Sequence, residues 1–160
     1  GAQGYEVWYA TAAAGPYKLA RSTADTAYSK TYLTPGTRYW FKARAFVMED
    51  GSRVCGAFSA AVCGVPLGRA RITQAYASGA TRIRLAWESV PGATGYVVSI
   101  AGASGGAYTP RLTTAATACT LTGLAPGTAY HLKVTPYTRL HTATYSGPAS
   151  GSRAVRTLPK

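Results

Sequence analysis

The side chains that most often move protons, attack carbonyls or hold metals are scarce in these 160 residues. There are five acids (Glu6, Asp25, Glu49, Asp50, Glu88), two histidines and three cysteines. Glycoside chemistry needs two carboxylates flanking one bond, and no motif places such a pair. Glu49 and Asp50 adjoin a Gly and read as turn chemistry. His131 falls on the outer face of a strand and His141 in a loop, neither at metal-ligand spacing from a cysteine or from the other. Serines are plentiful, but no G-x-S-x-G elbow occurs. The run Gly102–Gly106 (GASGG) joins two strands instead of opening a helix, which argues against a phosphate cradle. Cys55 and Cys63, eight apart in a β-like stretch, would stand about 26 Å apart if extended, far beyond disulfide reach. With Cys119 they are read as free thiols, Cys119 as a small buried apolar residue. No catalysis, metal or cofactor is expected.

A second pattern could bind instead of react. Arg38, Trp40, Lys42 and Arg44 alternate along one strand, and Glu6 and Trp8 along another. If these strands are neighbours, both tryptophans lie on one exposed sheet face among cations. Such a face can stack on sugar rings or bases. The competing reading is an aromatic ladder over which Lys and Arg stems pack. The chain carries 17 Lys and Arg against 5 acids, a formal charge of +12. That argues about solubility and attraction to polyanions, not about fold. The cations are spread along the chain, and nucleic acid, which would need a basic groove with stacking aromatics, is not the expected partner. Anionic cell-wall polymers and glycans are compatible with the charge.

The elements that must position these residues are strands. Apolar residues make up 47% of the chain, with 18 Gly, 9 Pro and 12 Tyr, a mix that favours turns and β-structure. No helical period is sustained. No run reaches the roughly 18 apolar residues of a membrane helix. The opening GAQGYEVW lacks the features of a signal peptide and reads as an internal stretch. Offset by 91 residues, the chain aligns with itself without a gap: Gly4/Gly95, Tyr5/Tyr96, Val7/Val98, Leu33/Leu124, Pro35/Pro126, Gly36/Gly127, Tyr39/Tyr130 and Lys42/Lys133. Trp8 and Trp40 are matched by Ser99 and His131, so the aromatic pattern is not common to both copies. A period of this size suits a small β-sandwich. Residues 67–160 form a complete repeat and 1–66 a partial one, because Arg69–Pro91 has no counterpart before Gly1.

Alternation predicts strands in the second copy at Arg71–Tyr76, Thr81–Trp87, Gly95–Ala101, Tyr108–Leu112, Thr117–Leu121, Ala129–Tyr137 and Arg153–Thr157, with a turn at Ser78-Gly79. In the first copy it predicts Tyr5–Ala10, Tyr17–Arg21, Thr26–Lys30, Arg38–Met48 and Arg53–Val65, with a hairpin at Asp50-Gly51. Ile83, Leu85, Trp87, Tyr96, Val98, Ile100, Cys119, Leu121, Leu124, Tyr130, Leu132 and Val134 are expected to form the second core. Tyr5, Val7, Tyr9, Tyr28, Leu33, Tyr39, Phe41, Ala43 and Ala45 are their first-copy equivalents.

The segment Leu124-Ala125-Pro126-Gly127-Thr128-Ala129-Tyr130, repeated as Leu33-Thr34-Pro35-Gly36-Thr37-Arg38-Tyr39, resembles the L-x-P-G-T-x-Y segment of fibronectin type III modules. The resemblance covers nearly the whole chain. It implies an all-β fold of two immunoglobulin-like antiparallel sandwiches, the first without its two leading strands. It gives Tyr39 and Tyr130 the role of tyrosine corners and makes Trp87 the core tryptophan. Segments such as GYEVWYA are similar to the bacterial branch found in surface and secreted proteins. No Arg-Gly-Asp occurs, so integrin binding does not carry over. The resemblance implies a non-enzymatic extracellular spacer or adhesion module of a multidomain bacterial protein, at the cell surface or secreted. The alternative is a carbohydrate-binding accessory module of a secreted glycan-degrading enzyme. Expected partners are other domains of the parent protein and surface glycans or proteins, without membrane insertion. Trp8, Trp40, Arg38, Lys42 and Arg44 are the candidate ligand face. A partial first sandwich leaves an apolar face uncovered, and a homodimer through that face is expected.

Overall fold

The computed structural model of the chain describes residues 1–140 and 142–160. These residues are strands, turns and loops, with no helix among them. The chain divides into two compact units, Gly1–Pro66 and Leu67–Lys160.

The first unit is one antiparallel sheet. Its strands are β1 (Gly4–Ala10), β2 (Lys18–Thr23), β3 (Tyr39–Glu49), β4 (Ser52–Cys55) and β5 (Val62–Gly64). They lie in the order β2-β1-β3-β4, with β5 also on β3. The β3–β4 hairpin closes through Asp50 (φ 49°) and Gly51 (φ 77°) between the paired Glu49 and Ser52. Two consecutive left-handed residues make the turn that matches strand twist, as the Asp-Gly dipeptide predicts. Gly4 is required because the Phe46 ring fills the place of a side chain: a Cβ there would lie 2.5 Å from Phe46 Cζ.

One expectation for this unit fails. Thr26–Lys30 forms no strand. Its counterpart in the second unit is held by a strand that the first repeat does not have here, and alternating residues without a ladder to join stay irregular. The apolar face of this sheet is open: of the nine residues equivalent to the second core only Tyr39 is buried, Tyr28 is exposed, and the other seven are half-buried. The opposite layer is what would cover them. The segment around Asp25–Tyr28 covers part of the face, leaving a hollow of about 200 Å³ beside Tyr5, Val7 and Ala43. The Lys30 ammonium stands 5.0 Å from the Tyr9 ring centroid.

The second unit comprises β6 (Ile72–Gly79), β7 (Arg82–Trp87), β8 (Gly95–Ala101), β9 (Thr109–Thr114), β10 (Ala118–Leu121), β11 (Ala129–Leu140), β12 (Ala143–Ser146) and β13 (Arg153–Arg156). One sheet is β10-β7-β6. The other is β12-β11-β8-β9, with β13 also on β11. Ile83, Leu85, Trp87 and Leu121 of the first sheet share one buried cluster with Tyr96, Val98, Leu132, Val134 and Val155 of the second. Ile100, Cys119 and Tyr130 are half-buried at its margin. Burial pushes the Cys119 thiol above its usual pKa, opposed by the charge of Arg84. The larger departures from expectation are a shifted turn, a lengthened strand and an unforeseen one. The β6–β7 turn falls at Ala80-Thr81 instead of Ser78-Gly79, because a bulge between Ala77 and Gly79 lengthens β6. The strand from Ala129 runs three residues past Tyr137, and β12, which the sequence did not suggest, pairs with that extension.

The last strand is also broken in both units, where the first copy was expected to run unbroken from Arg53 to Val65. Gly56 N–H donates to Ala45 O (2.9 Å) and Gly147 N–H to Pro136 O (2.8 Å). Ser59 Oγ then accepts the Ala43 amide (3.1 Å) and Ser150 Oγ the Val134 amide (2.9 Å). Each serine hydroxyl substitutes for a ladder carbonyl where the strand bulges away.

Gly123 (φ 69°) takes a left-handed conformation just before Leu124, and the matching position before Leu33 is Tyr32 (φ 57°). Tyr32 is 102% exposed, so no packing offsets a conformation that costs a non-glycine residue about 1–2 kcal/mol. Tyr32→Gly is expected to stabilise the first unit by up to about 1 kcal/mol, less the extra chain entropy that glycine brings to the unfolded state, and so to raise its urea midpoint. A lowered midpoint would refute this.

Candidate functional site

The outer face of the first sheet brings together much of the predicted ligand face. Trp8 of β1 pairs with Lys42 of β3, Glu6 with Arg44, and Ala10 with Trp40. Glu6 points outward as expected, yet it is only 5% exposed. Arg44 bridges to one carboxylate oxygen at 2.8 Å and Arg53 to the other at 2.8 Å. The Trp8 indole N–H donates to it at 3.1 Å. Burial works to raise the Glu6 pKa, but the hydrogen bonds from Arg53, Arg44 and Trp8 together outweigh it and hold the carboxyl below the usual range. It is an anion at neutral pH, with its acceptor sites taken by the protein itself.

The aromatics around this carboxylate are likewise engaged. Trp8 meets Phe58 edge to face at 5.9 Å. The Arg44 guanidinium lies 4.6 Å from the Phe58 ring centroid and 5.7 Å from that of Trp8. Lys42 sits 4.1 Å from both Tyr17 and Phe58. Arg38 stands 5.9 Å from Trp40, apart from this cluster. Of the five predicted residues, Trp8, Lys42 and Arg44 therefore belong to one assembly, and Arg38 with Trp40 form a separate pair. Phe58, Arg53 and Tyr17 were not foreseen as members.

Comparing the units sorts scaffold from specialisation. Lys133 lies 4.2 Å over Tyr108, repeating Lys42 over Tyr17. By contrast Glu6, Arg44, Arg53 and Phe58 are matched by Val97, Thr135, Thr144 and Ala149. The lysine–tyrosine pair is common equipment, whereas the buried carboxylate and its arginines belong to the first unit alone.

The remaining candidate chemistry is dispersed. Asp25 accepts the Thr23 hydroxyl at 2.9 Å in a turn. Glu88 pairs with Arg71 at 2.5 Å on the surface. Cys55 and Cys63 face Phe46 and Trp40 on β3, six residues apart, which is about 20 Å of strand. No group of three His, Cys, Asp or Glu side chains converges among the described residues. His131 lies on β11; His141 falls outside the described residues.

The structural signature sits elsewhere. The Tyr39 hydroxyl accepts the Thr34 amide at 3.1 Å, and the Tyr130 hydroxyl accepts the Ala125 amide at 3.0 Å. The Thr34 amide, acting on the phenolic oxygen, draws the Tyr39 pKa down. Both bonds reach back five residues across the Leu-x-Pro-Gly-Thr turn, the geometry of a tyrosine corner. Residues 71–152, just over half of the chain, match the Fibronectin type III domain. The chain belongs to the fibronectin type III family. Its backbone resembles the crystal structure of chicken CNTN1 FN1-FN3 domains, with a TM-score of 0.51 and 18% identity, over 97% of this chain and 56% of that one. The solution structure of the 6th fibronectin type III domain from human fibronectin type III domain containing protein 3 gives 0.51 and 22%, over 61% of this chain and 91% of that one. The chain thus spans little more than half the length of the chicken structure, and at these identities the likeness concerns fold alone. A third tyrosine, Tyr96, accepts the Val90 amide at 2.8 Å inside the complete fibronectin type III unit and ties the β7–β8 turn to its core.

Proposed function

We propose that this chain is a non-catalytic spacer or adhesion module of an extracellular bacterial protein, carried at the cell surface or secreted beside other domains. One observation carries the reading: the polar side chains that recur in both units are spent on the scaffold. Tyr39 and Tyr130 accept turn amides, Ser59 and Ser150 accept strand amides, and Lys42 and Lys133 lie over tyrosines. Groups used in this way hold shape and stiffness, which is what a spacer needs. The fibronectin type III family is consistent with a module that works through its neighbours.

Retention on insoluble neutral polysaccharides separates this reading from an accessory glycan-binding module. The spacer reading expects the 160-residue chain to elute with the void from cellulose, chitin and xylan, and antibody to it to label unpermeabilised source cells. Retention that Trp40→Ala removes would favour the accessory reading instead, and labelling only after lysis would overturn the extracellular one. Trp40 is the residue to change, because Trp8 is bonded into the Glu6 cluster and its loss would also cost stability.

A further inference from the structure

The charge of this protein is unevenly held. Residues 67–160 carry ten Lys and Arg against a single acid, Glu88; residues 1–66 carry seven against four. Glu88 is taken by Arg71, and with side chains 76% and 52% exposed this pair is a wet surface contact, worth little in stability. The other nine cations of the second unit have no carboxylate of their own unit to face.

Three arginines converge where this excess can act. Arg69 and Arg71 flank the buried Ala70 just before β6, and Arg153 opens β13 directly after the loop at Ser150–Ser152. They line one open groove of about 410 Å³ with Ala70, Ile72 and Ser152. Arg69 and Arg153 are exposed, and neither makes an ion pair among the described residues. By strand alternation Arg153 shares the face of Val155. At the position in the first unit that matches Arg153 stands Val62.

We propose that this groove binds an anionic polysaccharide, a linear chain bearing carboxylate or sulfate groups at intervals. Guanidinium forks match the two oxygens of such groups and are less costly to desolvate than ammonium. Single-stranded nucleic acid fits less well, since its bases require stacking rings and none of the groove's side chains is aromatic. The surrounding positive field draws a polyanion in, and the three arginines fix its register. The inference concerns the second unit by itself and does not depend on where the parent protein resides.

The test is equilibrium binding of the whole chain to polygalacturonate (carboxylate), dextran sulfate (sulfate) and single-stranded DNA at fixed ionic strength. Binding to at least one of the two polysaccharides, tighter than to DNA and weakened by salt, is expected. Arg69→Gln with Arg153→Gln, which keeps most of both stems, should weaken it about tenfold or more, since each removes a charge-assisted contact. The charge-matched control Arg82→Ala with Lys160→Ala, both exposed and outside the groove, should change it less than about twofold if position rather than net charge decides. Equal losses in the two double variants would overturn the groove, as would DNA binding as tight as the better-bound polysaccharide, or no binding to either polysaccharide by a folded chain. Unchanged thermal unfolding of both variants keeps the comparison valid, and Arg69→Lys with Arg153→Lys gives a second version that retains charge but loses the forks. Full affinity in that variant would overturn the guanidinium recognition.

Discussion

Glu6→Val is expected to destabilise the first unit by about 3 kcal/mol, the low end of the range for removing one partner of a buried ion pair. The low end applies because the cations left behind differ in their access to water: the side chain of Arg44 is 27% exposed and that of Arg53 41%, against 6% for Glu6. Both guanidinia would lose their carboxylate, and the Trp8 indole its acceptor. The second unit supplies the other solution to the same position, with Val97, Thr135 and Thr144 in place of Glu6, Arg44 and Arg53. Adding Arg44→Thr and Arg53→Thr to Glu6→Val should therefore restore most of the loss, since no uncompensated charge remains. Urea unfolding followed by Trp8 and Trp40 fluorescence, in a Trp87→Phe background, reads the first unit specifically. A triple variant no more stable than Glu6→Val would refute the electrostatic account. The pH dependence has a definite sign. The folded-state pKa of Glu6 lies below its usual value, so the stabilisation is complete above the unfolded pKa and is lost as pH falls through the folded one. The triple variant should lack that acid-side loss.

Local signals made most of the fold legible. Asp50-Gly51 and the two Leu-x-Pro-Gly-Thr turns carry their conformations in their own residues, and Ile83, Leu85 and Trp87 declare their inward face by alternation. The features that escaped depend on partners distant in the chain. Thr26–Lys30 alternates like a strand, but only a neighbouring strand could make it one. Glu6 looked like a solvated outward acid because Arg53, which closes over it, lies 47 residues away. One signal for that cluster was present and unused: Glu6, Arg44, Arg53 and Phe58 all depart together from the second copy, and positions that change as a set commonly touch. The groove was hidden for the same reason, since Arg69, Arg71 and Arg153 come to line it only when the chain around β6 is brought beside β13.

Trp87→Ala tests the core of the second unit, and its expected cost is about 3–5 kcal/mol, the range for deleting a buried large aromatic. Trp87 is 4% exposed and meets the Tyr96 ring at 5.4 Å and 65°. It closes the row begun by Ile83 and Leu85 on β7. Losing it removes the surface on which Tyr96 rests, and Tyr96 in turn holds the Val90 amide, so turn and core should loosen together. Trp87→Phe should be far milder, about 1–2 kcal/mol, because most of the ring is kept and the buried indole N–H, which has no acceptor among the described residues, is discarded with its desolvation cost. Amide exchange on residues 67–160 distinguishes the two variants: protection at Val98, Leu132 and Val134 should collapse in Trp87→Ala and persist in Trp87→Phe. Exchange in Trp87→Ala as slow as in the parent would mean that the layers are held by something other than this ring. In the first unit, where no second sheet lies against these strands among the described residues, Tyr5 and Val7, equivalent to the buried Tyr96 and Val98, are half-buried.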